Sequence, residues 1–281
     1  MPEVRRGPTS LNGTGAPCQT LTVATTDLLQ FAEQDARSLL GAAEIQWDRP
    51  VPHCPEWDEA GLVRHMGSIL YWQAAIVGTG ELVSRRTLEP APPEDPDDLP
   101  AWYLAGLSQA LEVFGSADPE AAAWTFSRLG DQRAGWWFRR LPVEVAIHRW
   151  DAEHAVTYAD QGGASPQPIH GDVAAAGIEE FVVEFLPGLL ARDDVVGFTG
   201  TLRLDPEDGP TAWWIDLDDA GRAIPQAADA ETEAETEAEA DTILRGTRSD
   251  LLLWLNNRGP LETLEVAGDQ TILDRWGQLT F

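Results

Sequence analysis

The chain has 281 residues, 19 basic and 47 acidic side chains and a formal net charge of −28, and every basic residue is arginine. Without lysine there is no Schiff base, no anchor for pyridoxal phosphate, no phosphate-loop lysine and no lysine nucleophile. So negative a chain also argues against duplex DNA and anionic membranes as partners, since both need clustered positive charge.

At 43% hydrophobic with 12 tryptophans the sequence is globular, and its length suits one large or two modest domains. Residues 1–20 carry no apolar h-region and are expected to be a disordered leader, not a signal peptide. Cys18 and Cys54 are the whole cysteine complement, too few for a secreted disulfide framework. No stretch reaches the roughly 20 apolar residues of a membrane span. The expectation is a cytoplasmic protein, monomeric or homodimeric, with no membrane or nucleic-acid partner.

In chain order, Leu28, Phe31, Leu39 and Leu40 recur at helical spacing over residues 27 to about 45. A proline-rich link follows. Asp58 is then a plausible N-cap before Leu62, His65, Met66, Ile69 and Trp72, an i, i+3, i+4 stripe. A third helix is expected to carry Leu104, Leu107, Leu111 and Phe114. A fourth is expected to start near Pro142, which suits a first helical position, and to run past Ile147 and Trp150. Four such helices predict a bundle over 21–165.

The second half changes character. A helix over about 172–190 leads into two β-rich segments, VVGFTGTLRL and TAWWIDL, separated by the turn DPEDGP. DTILRG is a further strand, Ser249 or Asp250 is expected to cap the helix LLLWLNN, and TLEVAG and a short helix with Trp276 close the chain. This predicts an α+β domain over 170–281, with QGGASPQP as linker. The acidity is local: residues 89–98 carry five acids, 205–219 six and 229–241 seven. Removing those 18 leaves 29 acids against 19 arginines, near −10. The last run alternates Glu with Ala or Thr and predicts a solvated acidic insertion at 228–241.

Glu144 and His148 form the sharpest pairing. Four residues turn a helix by about 400°, so both side chains leave one face about 6 Å apart. That spacing suits two ligands of one metal, and equally an exposed i,i+4 pair. His65 projects from an apolar stripe where a ring needs a partner. Together the three would make a two-His, one-carboxylate site with positions left open. Asp151, one turn on, is either a partner orienting an imidazole or a surface charge. His154 points to another face. His53 and Cys54 are neighbours in extended chain and point apart, which weighs against a nucleophile pair. Trp136 and Trp137 could line a pocket mouth, although packing is the commoner fate of such pairs.

Two segments, PVPHCPEWDEAGLVRHMG at 50–67 and LPVEVAIHRWDAEHA at 141–155, resemble the mycothiol-dependent maleylpyruvate isomerase family. The string from Ile243 to Trp276 resembles that family's second domain. The resemblance implies a DinB-like four-helix bundle followed by a smaller α/β domain akin to sterol carrier proteins. It implies metal ligands His65, Glu144 and His148, with zinc the usual metal, and mycothiol, the low-molecular-weight thiol of actinobacteria, as cosubstrate. Arg258 matches an arginine common in the family's second domain and is expected to act in catalysis and in holding the thiol or an anionic substrate. Arg222 is a second candidate for that binding. With no lysine, only arginine can supply a charged donor, and its planar fork suits carboxylates.

The expected chemistry is addition of a metal-activated thiolate to a small electrophile. If the thiolate is expelled after bond rotation the outcome is cis–trans isomerisation; if it stays, S-transfer. Cys18 and Cys54 look poorly placed to serve as that thiol. The alternatives are a non-catalytic small-molecule-binding module and a metal-dependent hydrolase with Glu144 as base. A structural zinc normally has four protein ligands and only three are evident here, which favours the enzyme.

Overall fold

Four long helices build the first part of the computed structural model, which describes residues 25–160, 165–192, 195, 197–217, 223–224 and 240–279. They are α1 (Thr25–Ala43), α2 (Glu59–Thr79), α3 (Leu99–Ser116) and α4 (Ala134–Asp160). The expected leader, and residues 228–239 of the expected insertion, lie outside the described residues.

Asp58 caps α2 as expected, its Oδ1 accepting from the Gly61 amide at 2.7 Å. Leu62, Val63, Met66, Ile69 and Leu70 then turn inwards. In α3 the buried face is Trp102, Tyr103, Leu107, Ala110 and Phe114. Leu104 is 37% exposed; it sits one residue, about 100° of turn, off that stripe.

Helix α4 starts eight residues before Pro142, not at it. Trp136, Trp137 and Phe138 are buried in the bundle core, and the Trp137 indole donates to the Trp124 carbonyl at 2.7 Å. That packing sustains two extra turns. Pro142 therefore sits inside the helix, where it lacks the N–H that would bond the Phe138 carbonyl.

The second part begins with α5 (Gly171–Glu180), capped by His170, continues through a π-helical segment, Phe181–Phe185, and ends in α6 (Leu186–Leu190). A mixed five-stranded sheet follows: β1 (Thr201–Pro206), β2 (Trp213–Asp216), β3 (Ala223–Ile224), β4 (Thr242–Gly246) and β5 (Glu265–Gly268), in the order β3-β2-β1-β4-β5. Only β1 and β4 pair in parallel. The register sets Leu204 beside both Trp213 and Leu244, and Leu202 beside Ile215. That face is apolar and joins α5 and α7 (Arg248–Leu255) in one core. Neither Ser249 nor Asp250 caps α7. Thr247 does, its Oγ1 accepting from the Asp250 amide at 3.1 Å, while Ser249 is buried and accepts from the Ile169 amide. The chain closes with α8 (Thr271–Arg275) and a turn carrying buried Trp276.

Helix α4 belongs to both cores. Leu141, Val145 and Ala152 pack into the bundle, whereas Val143, Ala146, Ile147 and Trp150 pack against the α/β part. A helix apolar on two sides has little room for charge. Glu144, His148 and Asp151 lie on the seam between.

Candidate metal centre

The centre is built from α2 and α4. The four-residue step from Glu144 to His148 puts both side chains on one face of α4, and α2 brings His65 opposite. His65 Nε2 lies 3.6 Å from Glu144 Oε1, and His148 Nε2 lies 3.8 Å from that same oxygen. All three candidate ligand atoms fall within 4.8 Å of one another. Ligands of a tetrahedral ion at about 2.1 Å stand about 3.4 Å apart, so little movement would close these atoms on a cation.

The electrostatics suit the same use. His65 Nε2 is buried without a hydrogen-bond partner, and burial pulls the His65 pKa below its ordinary value. A neutral ring with an idle lone pair is the state a metal ligand needs. Burial alone would make Glu144 a weaker acid. Arg140, followed by His65 and His148, reverses this and holds its carboxyl well below the usual range. Arg140 contacts the other Glu144 oxygen and reaches Glu180 at 2.9 Å. Burial pushes Glu180 up to about 7, against the pull of Arg140.

Behind His148 sits Asp151, with no exposed surface. Its Oδ2 is 3.0 Å from His148 Nδ1. Burial opposes its charge, but the His148 contact and Arg258 bring it down to about 2. An ionised carboxylate only accepts, so Nδ1 carries the proton and the Nε2 lone pair faces Glu144 and His65.

Arg258 comes from the end of α7, and its Nε is 3.1 Å from Asp151 Oδ1. It also meets the helix end, donating to the Asn256 carbonyl at 2.9 Å. Arg222 lies outside the described residues.

The segment at 50–58 supplies what the sequence reading missed. A Pro50–Asp58 bridge closes it into a tight loop, and two of its side chains reach the centre. The Trp57 ring packs 4.5 Å from the His65 ring, measured between centroids. The Cys54 thiol donates to Asp151 Oδ2 at 3.7 Å. Cys54 is thus beside the site, not remote from it; the closure of the loop decides that, and local spacing carries no sign of it. Burial, then the Asp151 charge, pushes its thiol up to about 12, so it stays protonated. His53 turns the other way, with ring centroids 5.4 Å from Trp150 and 4.8 Å from His154. Trp137 is fully buried in the core, whereas Trp136, also buried, lines a cavity beside Leu129, Arg139 and Glu180.

Cys54, His148 and Asp151 also cluster closely enough to suggest a cation. The Arg258 guanidinium decides against it. Its Nη2 stands 3.1 Å from Asp151 Oδ2 and 3.9 Å from Cys54 Sγ, so positive charge is already in place.

The family model described as Mycothiol maleylpyruvate isomerase N-terminal domain matches residues 28–153, and the MDMPI C-terminal domain matches residues 172–275. No curated protein matches. Among solved structures, the fold resembles that of the mycothiol-dependent maleylpyruvate isomerase at a TM-score of 0.55 and 14% identity, covering 87% of this chain and 93% of that one. A histidine-to-alanine mutant of that isomerase gives a TM-score of 0.54 at 13% identity, with the same coverage. At such identity the likeness is one of fold.

Proposed function

The chain belongs to the mycothiol-dependent maleylpyruvate isomerase family, and from that premise we propose that it is a metal-dependent enzyme that adds mycothiol to an electrophilic small molecule. The product either keeps the thiol, giving S-transfer, or expels it after bond rotation, giving cis–trans isomerisation.

The observation that carries this reading is the convergence of three ligand atoms, one of them the orphaned Nε2 of His65. Two nitrogens and one oxygen suit zinc, and three protein ligands leave a position for a thiol. When bound, such an ion lowers a thiol's pKa and presents thiolate at neutral pH. Glu144 supplies the negative charge and His65 a neutral ring. His148 offers Nε2 because Asp151 holds its other nitrogen's proton. Cys54 stays a thiol, so the nucleophile comes from outside. Arg222 is the candidate donor for an anionic group on the thiol or substrate. The hydrolase reading fares worse, because a carboxylate made so acidic by Arg140 is a poor general base.

The test is turnover of a panel of electrophiles by the purified chain with and without mycothiol, beside His148→Ala. Thiol-dependent turnover in the wild type alone is expected. Turnover without thiol, or equal turnover by the variant, would overturn the proposal.

A further inference from the structure

Arg258 looks from the sequence like a grip for an anionic ligand, yet every nitrogen of its fork is already engaged. Nε lies 3.1 and 3.3 Å from the two Asp151 oxygens, Nη2 lies 3.1 Å from Oδ2 and 3.9 Å from Cys54 Sγ, and Nη1 donates to the Asn256 carbonyl. Recognition of a carboxylate or phosphate by arginine uses two parallel N–H bonds along one edge of the guanidinium. Here the edge formed by Nε and Nη2 is closed on Asp151. The side chain is 14% exposed and Asp151 is fully buried, so freeing that edge for substrate would strand a buried carboxylate.

Asp151 passes this grip on. The oxygen that accepts from Arg258 Nη2 is the one 3.0 Å from His148 Nδ1. The line runs from the α/β part, through a side chain on the seam of α4, to a ring of the candidate centre. We infer that Arg258 is a positioning residue: it clamps Asp151, and through Asp151 it fixes the tautomer and rotation of His148, so that docking of the α/β part completes the metal centre. Cys54, donating to the same Asp151 oxygen, closes the clamp from the bundle side. The inference rests on His148 being a metal ligand only for its consequence for metal binding. The clamp itself is independent of any ion.

The experiment therefore has two readouts on the full chain, with thermal melting to establish that each variant folds. The first is the 15N spectrum of labelled histidines in the metal-free protein. His148 is expected as the Nδ1–H tautomer in the wild type and as a mixture in Arg258→Gln. The second is zinc affinity. Arg258→Gln and Asp151→Asn should each weaken it about 10- to 100-fold, the usual cost of losing a group behind a metal ligand. The double variant should be no weaker than the worse single. Arg258→Lys, which keeps the charge without the fork, should recover part of the loss and covers the case where Arg258→Gln does not fold. In turnover, kcat should fall with little change in KM. An unchanged His148 signal and zinc affinity in Arg258→Gln, with a raised KM, would instead make Arg258 a direct ligand contact. Multiplying losses in the double variant would also overturn the clamp. If the wild type binds no zinc, the function proposed above fails, and the histidine spectrum alone decides on the clamp.

Discussion

Asp151 concentrates the energetics of the site in one residue. It has no exposed surface and faces His148, Arg258 and Cys54. Removing the carboxylate leaves a buried guanidinium without its partner, a loss of about 3–5 kcal/mol in comparable buried pairs. Asp151→Ala should therefore lose that much in denaturant unfolding; a loss under 1 kcal/mol would mean that the pair is not buried in solution. Cys54 gives a second prediction at this scale. With its thiol pushed up to about 12, it should alkylate far more slowly than free cysteine at pH 8, followed by mass spectrometry. Alkylation at the free-thiol rate would contradict the arrangement. The candidate ligands were legible in the sequence because the i,i+4 step is local and a histidine on an apolar stripe stands out. Trp57 and Cys54 were not, because what brings them to the centre is a loop closed by the Pro50–Asp58 bridge.

At the scale of elements, α2 and α3 approach closely where a glycine permits it. A methyl group on Gly67 would stand 2.1 Å from the Trp102 ring, and Trp102 is fixed by its own bond to the Pro90 carbonyl at 3.0 Å. Gly67→Ala should destabilise the bundle by about 1–3 kcal/mol or more, as overpacking does, and unchanged melting would show that Trp102 gives way. The helices and most strands were readable from periodicity, since each buries one face. What failed was decided by tertiary packing. Helix α4 starts early because Trp136, Trp137 and Phe138 hold its first turns in the core, which overrides the preference of Pro142 for a helix start. Strand β3 has two residues, too few to show alternation. The cap of α7 fell to Thr247 because its hydroxyl accepts from the Asp250 amide and is itself held by donating to the Asp250 carboxylate.

For the whole molecule, buried acids work in opposite directions. Asp151, lowered to about 2, contributes stability that is present above its ordinary value of 3.8 and lost as pH falls towards 2. Glu59 is raised to about 8 by burial, with Arg49 pulling it down and Asp151 pushing it up, and Glu180 is raised to about 7. For these two the unfolded chain ionises first, so stability declines as pH rises from 4.5 towards 8. Self-repulsion of a chain at −28 acts the same way. Burial lowers the pKa of His53, His65 and His154, which work the other way up to their ordinary value of 6.5. The melting temperature should therefore fall between pH 6.5 and pH 8; a rise across that interval would contradict the burial of Glu59 and Glu180. The seam that buries Asp151 joins the two cores through α4, and the proposed centre depends on it. The most direct measurement is the metal content of the purified chain beside His148→Ala. Stoichiometric divalent metal in the wild type, lost in the variant, is the result predicted by a centre of His65, Glu144 and His148. A wild type without metal, or a variant that keeps it, would contradict that centre.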